Sequence, residues 1–122
     1  MNIPEKIKIG CSNITIEVVD RIIEDDTEYL GDFDFGLRKI RISKNQSEDS
    51  KIETFLHEIL HGILIERDVN IDSEGADLIC NALSRVVIQL IQDNPELLKK
   101  LLKKYIFKED EEAEKEEDKK EK

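Results

Sequence analysis

The 122-residue chain has two cysteines, two histidines, no tryptophan and only 5% aromatic residues. Two cysteines far apart in sequence make no disulfide framework. Cys11 and Cys80 each sit in an apolar pattern and are expected as buried thiols of a reducing compartment. No apolar run approaches the roughly 18 residues that a spanning helix needs. The N-terminal stretch "MNIPEKIKIGCSNITIEVV" lacks the apolar core and small-residue cleavage site of a signal peptide, so a cytoplasmic protein is expected. Positive charge is outnumbered, with 19 Lys and Arg against 29 Asp and Glu. The net charge is -10, and the C-terminal "KEDEEAEKEEDKKEK" contributes -4 through nine acids against five lysines, which leaves -6 for the rest. An acidic surface without a basic patch or an aromatic-rich groove repels phosphate backbones and anionic lipid heads, so neither nucleic acid nor membrane is expected as a partner.

What is present is a change of period. Up to residue 46 apolar residues alternate: "KIKIG", then Ile14, Ile16 and Val18 in "NITIEVVD", and later Leu37, Ile40 and Ile42 around "LRKIRIS". Between them, "EDDTEYLGDFDFG" reads as an acidic loop in which Gly31 and Gly36 supply turn geometry. Three or four short strands in a mostly antiparallel sheet are predicted. The period then becomes 3.6. Ser50 and Glu53 form a capping-box pattern, and Ile52, Phe55, Leu56, Ile59, Leu60, Ile63 and Leu64 form a stripe, predicting a helix from about Lys51 to Arg67.

A second helix starts after Asp72 or Ser73 as cap and carries Ala76, Ile79, Cys80, Leu83, Val86, Val87, Leu90 and Ile91 to about Asp93. Asn94 and Pro95 open a third, which is expected to pack through Leu97, Leu98, Leu101, Leu102, Tyr105 and Ile106. The fold class is therefore α+β: a small N-terminal sheet followed by three helices in a domain over residues 1–107. Residues 108–122 have one apolar residue, Ala113, and are expected as a frayed or disordered charged tail. No oligomeric state is specified.

Both histidines fall in "TFLHEILHGILIE". His57 and His61 are i and i+4, so on a helix their imidazoles share a face about 5–6 Å apart and can share one metal ion. Zinc is the favoured ion for nitrogen ligands plus a carboxylate, with iron, nickel or cobalt as alternatives. Glu58, directly after the first histidine, occupies the general-base position of the H-E-x-x-H pattern. On a helical wheel the apolar stripe centres near Ile52 and Ile63 and both histidines lie beyond its shoulder. The competing interpretation is two surface histidines beside a core stripe.

A two-histidine site needs a third protein ligand and the chain has no third histidine, so an acid must supply it. Glu74 and Asp77 at the start of the second helix are the candidates. Asp77 lies at the edge of that helix's stripe, whereas Glu74 points nearly opposite it and has an ordinary role beside the helix N-terminus. For an oxyanion donor the only candidates are the two tyrosines, Tyr29 and Tyr105.

The order of short strands, "HEILH" helix and acid-bearing helix resembles the small ImmA/IrrE-type zincin metallopeptidases of phages and bacteria over about residues 10 to 95. "DLICNALS", from Asp77 to Ser84, is similar to their E-x-x-A-N-x-F-A pattern and places Asp77 where they carry a ligand glutamate. The resemblance implies a zincin-like fold and zinc-dependent hydrolysis of a protein or peptide substrate, with His57, His61 and Asp77 on zinc and Glu58 as base. The "RKIRIS" strand, if at a sheet edge, could align an extended peptide. The alternative is a catalytically inactive zincin-fold interaction module.

Overall fold

A computed structural model describes residues 2–107; the segment expected as a charged tail, 108–122, lies outside the described residues. The chain is α+β, with β1 (Lys6–Ile9), β2 (Ser12–Val19), β3 (Ile22–Glu24), β4 (Thr27–Tyr29), β5 (Gly31–Asp34) and β6 (Lys39–Ser43) preceding α1 (Glu48–Glu66), α2 (Ser73–Asp93) and α3 (Pro95–Tyr105). It divides into two units, Met1–Val86 and Val87–Lys122. The sheet, α1 and the N-terminal part of α2 belong to the first.

The main sheet has the order β1-β2-β6-β5, and β3 with β4 forms a separate hairpin. Its pairings are antiparallel except for β2 with β6, which run parallel with Ile16 opposite Ile40 and Val18 opposite Ile42. Alternation then puts Ile14, Ile16, Ile40 and Ile42 on one face, where they bury against Phe55 of α1 and Ile9. The other face is polar. There Lys39 pairs with Glu17 at 3.0 Å, and Arg41 pairs with Asp32 and, at 3.1 Å, with Glu24.

Two expectations about the strands are corrected. The acidic "loop" contains the last residue of β3 and all of β4 and β5. Asp25 and Asp26, both at positive φ (51° and 62°), make the two-residue hairpin turn, because a short polar side chain tolerates the left-handed conformation that this turn demands. Neither Gly31 nor Gly36 has a positive φ. Secondly, β6 is an interior strand, since β5 pairs along its outer side; the sheet edges are β1 and β5.

The helix ends also shift. Ser47, not Ser50, caps α1, its hydroxyl accepting from the Ser50 backbone N–H at 3.1 Å. The Ser50 hydroxyl instead donates to Gln46 Oε1 at 2.6 Å, and Glu53 bonds Arg85. At the other end, Val69 N–H reaches the Leu64 carbonyl and Asp68 N–H the Ile65 carbonyl, with Asp68 at φ 57°, which closes the helix in a Schellman turn. Asp72 caps α2 through a 2.6 Å bond from Gly75 N–H. Asn94 makes no side-chain cap bond to α3; its amide donates to the Leu90 carbonyl.

The most buried line of α1 runs through Phe55, Glu58 and Gly62 rather than Ile52 and Ile63, and Ile63 is exposed. Gly62 explains this rotation. A Cβ there would stand 2.6 Å from Ile9 Cδ1 and 2.8 Å from a Phe33 ring carbon, so the helix rests on the sheet at its one residue without a side chain. Cys80 is fully buried as expected, but Cys11 is exposed in the tight β1–β2 turn behind Gly10. The helical stripes beyond α1 are less covered than their pattern implies: Leu83, Val86, Leu90 and Ile91 are exposed, and α3 has no buried residue. The helix that packs on the apolar face of the sheet is α1, through Phe55 and Ile59. No described helix is long and apolar enough to cross a membrane.

Candidate metal centre

Two facing rows of side chains build the site. On α1 the row is Glu53, His57 and His61, spaced by one turn; on α2 it is Asp77, Asn81 and Arg85, also spaced by one turn. Arg85 Nε donates to Glu53 Oε1 at 2.7 Å, so the two rows meet in antiparallel register. At the other end His57 Nε2, His61 Nε2 and Asp77 Oδ1 form a triangle with each side 3.0 Å. Of the two candidate acids Asp77 is therefore the one beside the histidines. Glu74 is exposed and belongs to no such group among the described residues.

The donor set of this triangle is unusual for plain hydrogen bonding. Three nitrogen and oxygen atoms, each 3.0 Å from the other two, offer three contacts, and two neutral imidazoles can place at most two protons among them. With both imidazoles carrying their proton on Nδ1, three lone pairs converge. The arrangement suits a shared cation: ligands roughly 2.0–2.1 Å from one tetrahedral zinc stand about 3.3 Å from one another.

Burial pushes the His57 imidazolium below its ordinary pKa, and neighbouring His61 adds to this against the opposing pull of Asp77 and Asn81. Burial would raise the Asp77 carboxyl, but bonds from His61 and His57 outweigh it and hold the group below the usual range.

Glu58 is 7% exposed, with Oε1 3.9 Å from His57 Nε2. Its side chain lies between α1 and the β5 edge, where a Cβ on Gly31 would be 3.6 Å from Glu58 Cγ and 2.5 Å from Thr54 Cγ2. Glycine at 31 is what lets the edge strand run this close. Burial is the main reason the Glu58 carboxyl is pushed up to about 7, with the negative charges of Asp32 and Asp77 adding to it. A carboxyl so placed exchanges protons near neutral pH.

No family model, curated protein or solved structure matches the chain.

The site opens into a cleft whose walls are the 28–31 segment, the first three turns of α1, and α2 from Asp77 to Arg85. Tyr29 is on that wall, half exposed, while Tyr105 belongs to α3 in the other unit. Gln46 and Arg85 carry no signal in a sequence scan yet shape the cleft. The Gln46 amide donates to the Leu30 and Ser43 carbonyls at 3.0 and 2.7 Å and accepts from Ser50 and Thr54, which ties the entry of β5 to the first turns of α1. Arg85 pins α2 to α1. Their signal is purely tertiary: neither lies in a motif.

Proposed function

We propose that the protein is a zinc-dependent peptidase in which His57, His61 and Asp77 hold the metal and Glu58 acts as general base. The observation that carries this reading is the 3.0 Å triangle of His57 Nε2, His61 Nε2 and Asp77 Oδ1 with the buried Glu58 carboxyl at its side. A zinc ion bound there would supply a Lewis acid and lower the pKa of water toward about 7. Glu58 would take a proton from the attacking water and return it to the leaving amine, a role that suits a carboxyl with pKa about 7. Burial of Glu58 against β5 keeps its side chain fixed for that transfer.

The β5 edge offers the backbone groups to align an extended peptide by strand addition, next to the base and along the cleft. Tyr29 lies on the cleft wall, and its hydroxyl would serve a developing oxyanion. In this reading the chain is a small zincin resembling the ImmA/IrrE type, with the shorter aspartate as third ligand.

The test is metal content and cleavage together. Purified protein exposed to zinc and then desalted should retain one zinc ion per chain, and His61→Ala should lose it while keeping the fold. The zinc-loaded protein should cleave members of a peptide library, and Glu58→Gln should not. Equal cleavage by both, or cleavage by neither, refutes the hydrolase; retention of metal in that second outcome favours the interaction module.

A further inference from the structure

The two histidines face the centre through the same atom, Nε2. In the ligand form each imidazole then carries its proton on Nδ1, and that N–H needs an acceptor. For His57 the acceptor is missing: Nδ1 is buried and has no hydrogen-bond partner. A buried N–H left in that condition is unfavourable and lacks the bond that would fix the ring's plane.

One side chain is placed to change this. Asn81 stands one helical turn beyond Asp77, on the row of α2 that faces His57, and lines the same cleft. Among the described residues its amide makes no other hydrogen bond; the Ser84 hydroxyl donates to its backbone carbonyl at 3.0 Å. Asn81 also already interacts with the His57 ring in the sense that favours the protonated nitrogen.

We infer that Asn81 is the positioning residue of the metal centre, its Oδ1 accepting from His57 Nδ1–H and so fixing the tautomer and plane in which Nε2 points at the metal. Asn81 touches neither substrate nor metal. Its effect runs through His57. One ligand and the support of another then come from one surface of α2, Asp77 binding directly and Asn81 through the His57 ring, which makes the α1–α2 register set by Arg85 and Glu53 a determinant of metal affinity.

This inference rests on the zinc reading, and zinc alone is the probe. Zinc dissociation constants would be measured by competition with a chromophoric chelator for the full chain, Asn81→Ala and Asn81→Asp. Loss of an outer-shell partner typically weakens metal binding about 10–100-fold, which is the loss expected for Asn81→Ala. Asn81→Asp keeps an acceptor of the same reach and should bind at least as tightly as the parent. Side-chain nitrogen NMR of the zinc-loaded parent should show His57 protonated on Nδ1, with that proton protected from exchange, and the protection should vanish in Asn81→Ala.

A parent chain that does not bind zinc overturns the metal reading and this role with it. Zinc binding by the parent with Asn81→Ala within twofold, or with both variants weakened equally, leaves the metal reading standing and overturns the role of Asn81. So does an unprotected Nδ1 proton in the parent, a result that does not depend on any variant folding.

Discussion

Glu58 provides a prediction that separates its burial from its chemistry. In the metal-free protein its carboxyl ionises at about 7, against 4.5 for the unperturbed group. A folded-state pKa raised above the unfolded value means that protonated Glu58 suits the fold. The stability linked to it is fully present below about pH 4.5 and is lost as pH rises through 7. The difference of 2.5 units between those values, at 1.36 kcal/mol per unit, is about 3 kcal/mol at pH 8 and under 1 kcal/mol at pH 5.

Glu58→Gln removes the titration while keeping the shape, at the cost of about 1 kcal/mol for an amide that must find partners. Urea denaturation in excess chelator at pH 5 and pH 8 reads the effect. The stability of the variant relative to the parent should rise by about 2–3 kcal/mol between the two pH values, and taking this difference cancels the amide cost and the other titrating groups. A relative stability that stays constant within about 0.5 kcal/mol would show that Glu58 is solvated in solution, and the argument for a buried base would fall.

Two further outcomes follow from the geometry. Asp77→Ala should weaken zinc binding by more than the roughly 100-fold that bounds outer-shell changes, whereas Glu74→Gln should leave it unchanged; chelator competition reads both, and the reverse order would put the ligand on Glu74. Gly62→Val places carbon where Ile9 and Phe33 stand 2.6 and 2.8 Å away, so it should destabilise by about 1–3 kcal/mol or more, lowering the melting temperature by several degrees per kcal/mol. An unchanged melting curve would mean that α1 does not rest on the sheet at this point.

The parts legible in the sequence are those whose signal is local. Period 3.6 with a polar cap marks α1 and α2, and period 2 marks β2 and β6. The spacing of "HEILH" puts both imidazoles on one side of α1, and the wheel position of Asp77 at the edge of its stripe matches where it lies. What the sequence hides is held by tertiary contacts. β4 and β5 are three to four residues long and carry acids that pair with Arg21 and Arg41, so hydropathy gives them no weight, and the three residues of β3 are too few for a period to show. Their hairpin turn uses Asp25 and Asp26 where glycine or asparagine would have advertised it. The apolar stripes of α2 and α3 mislead for the opposite reason: periodicity says which face is apolar, and says nothing about whether another element covers it.

The site concentrates arrangements that are each unfavourable for folding. A carboxylate is buried at 7% exposure beside other acids, an imidazole N–H position is buried without a partner, and three lone-pair atoms converge within 3.0 Å. In a chain with an isoleucine core, Leu or Ile at residues 58 and 57 would fold at lower cost. Scattered, such features would be defects; gathered on two turns of α1 and one of α2, they would share a remedy in the proposed zinc site, where a divalent cation would offset the converging ligand atoms, draw charge onto Glu58 and fix the His57 proton on Nδ1. The rest of the unit is arranged around holding them there. Gly62 sets the depth of α1 on the sheet, Gly31 admits Glu58 beneath the β5 edge, Gln46 ties that edge to the first turns of the helix, and Arg85 holds α2 in register. Local cost borne by a rigid surround is how a fold keeps a reactive constellation in place, and it is the physical reason to place the function at this seam.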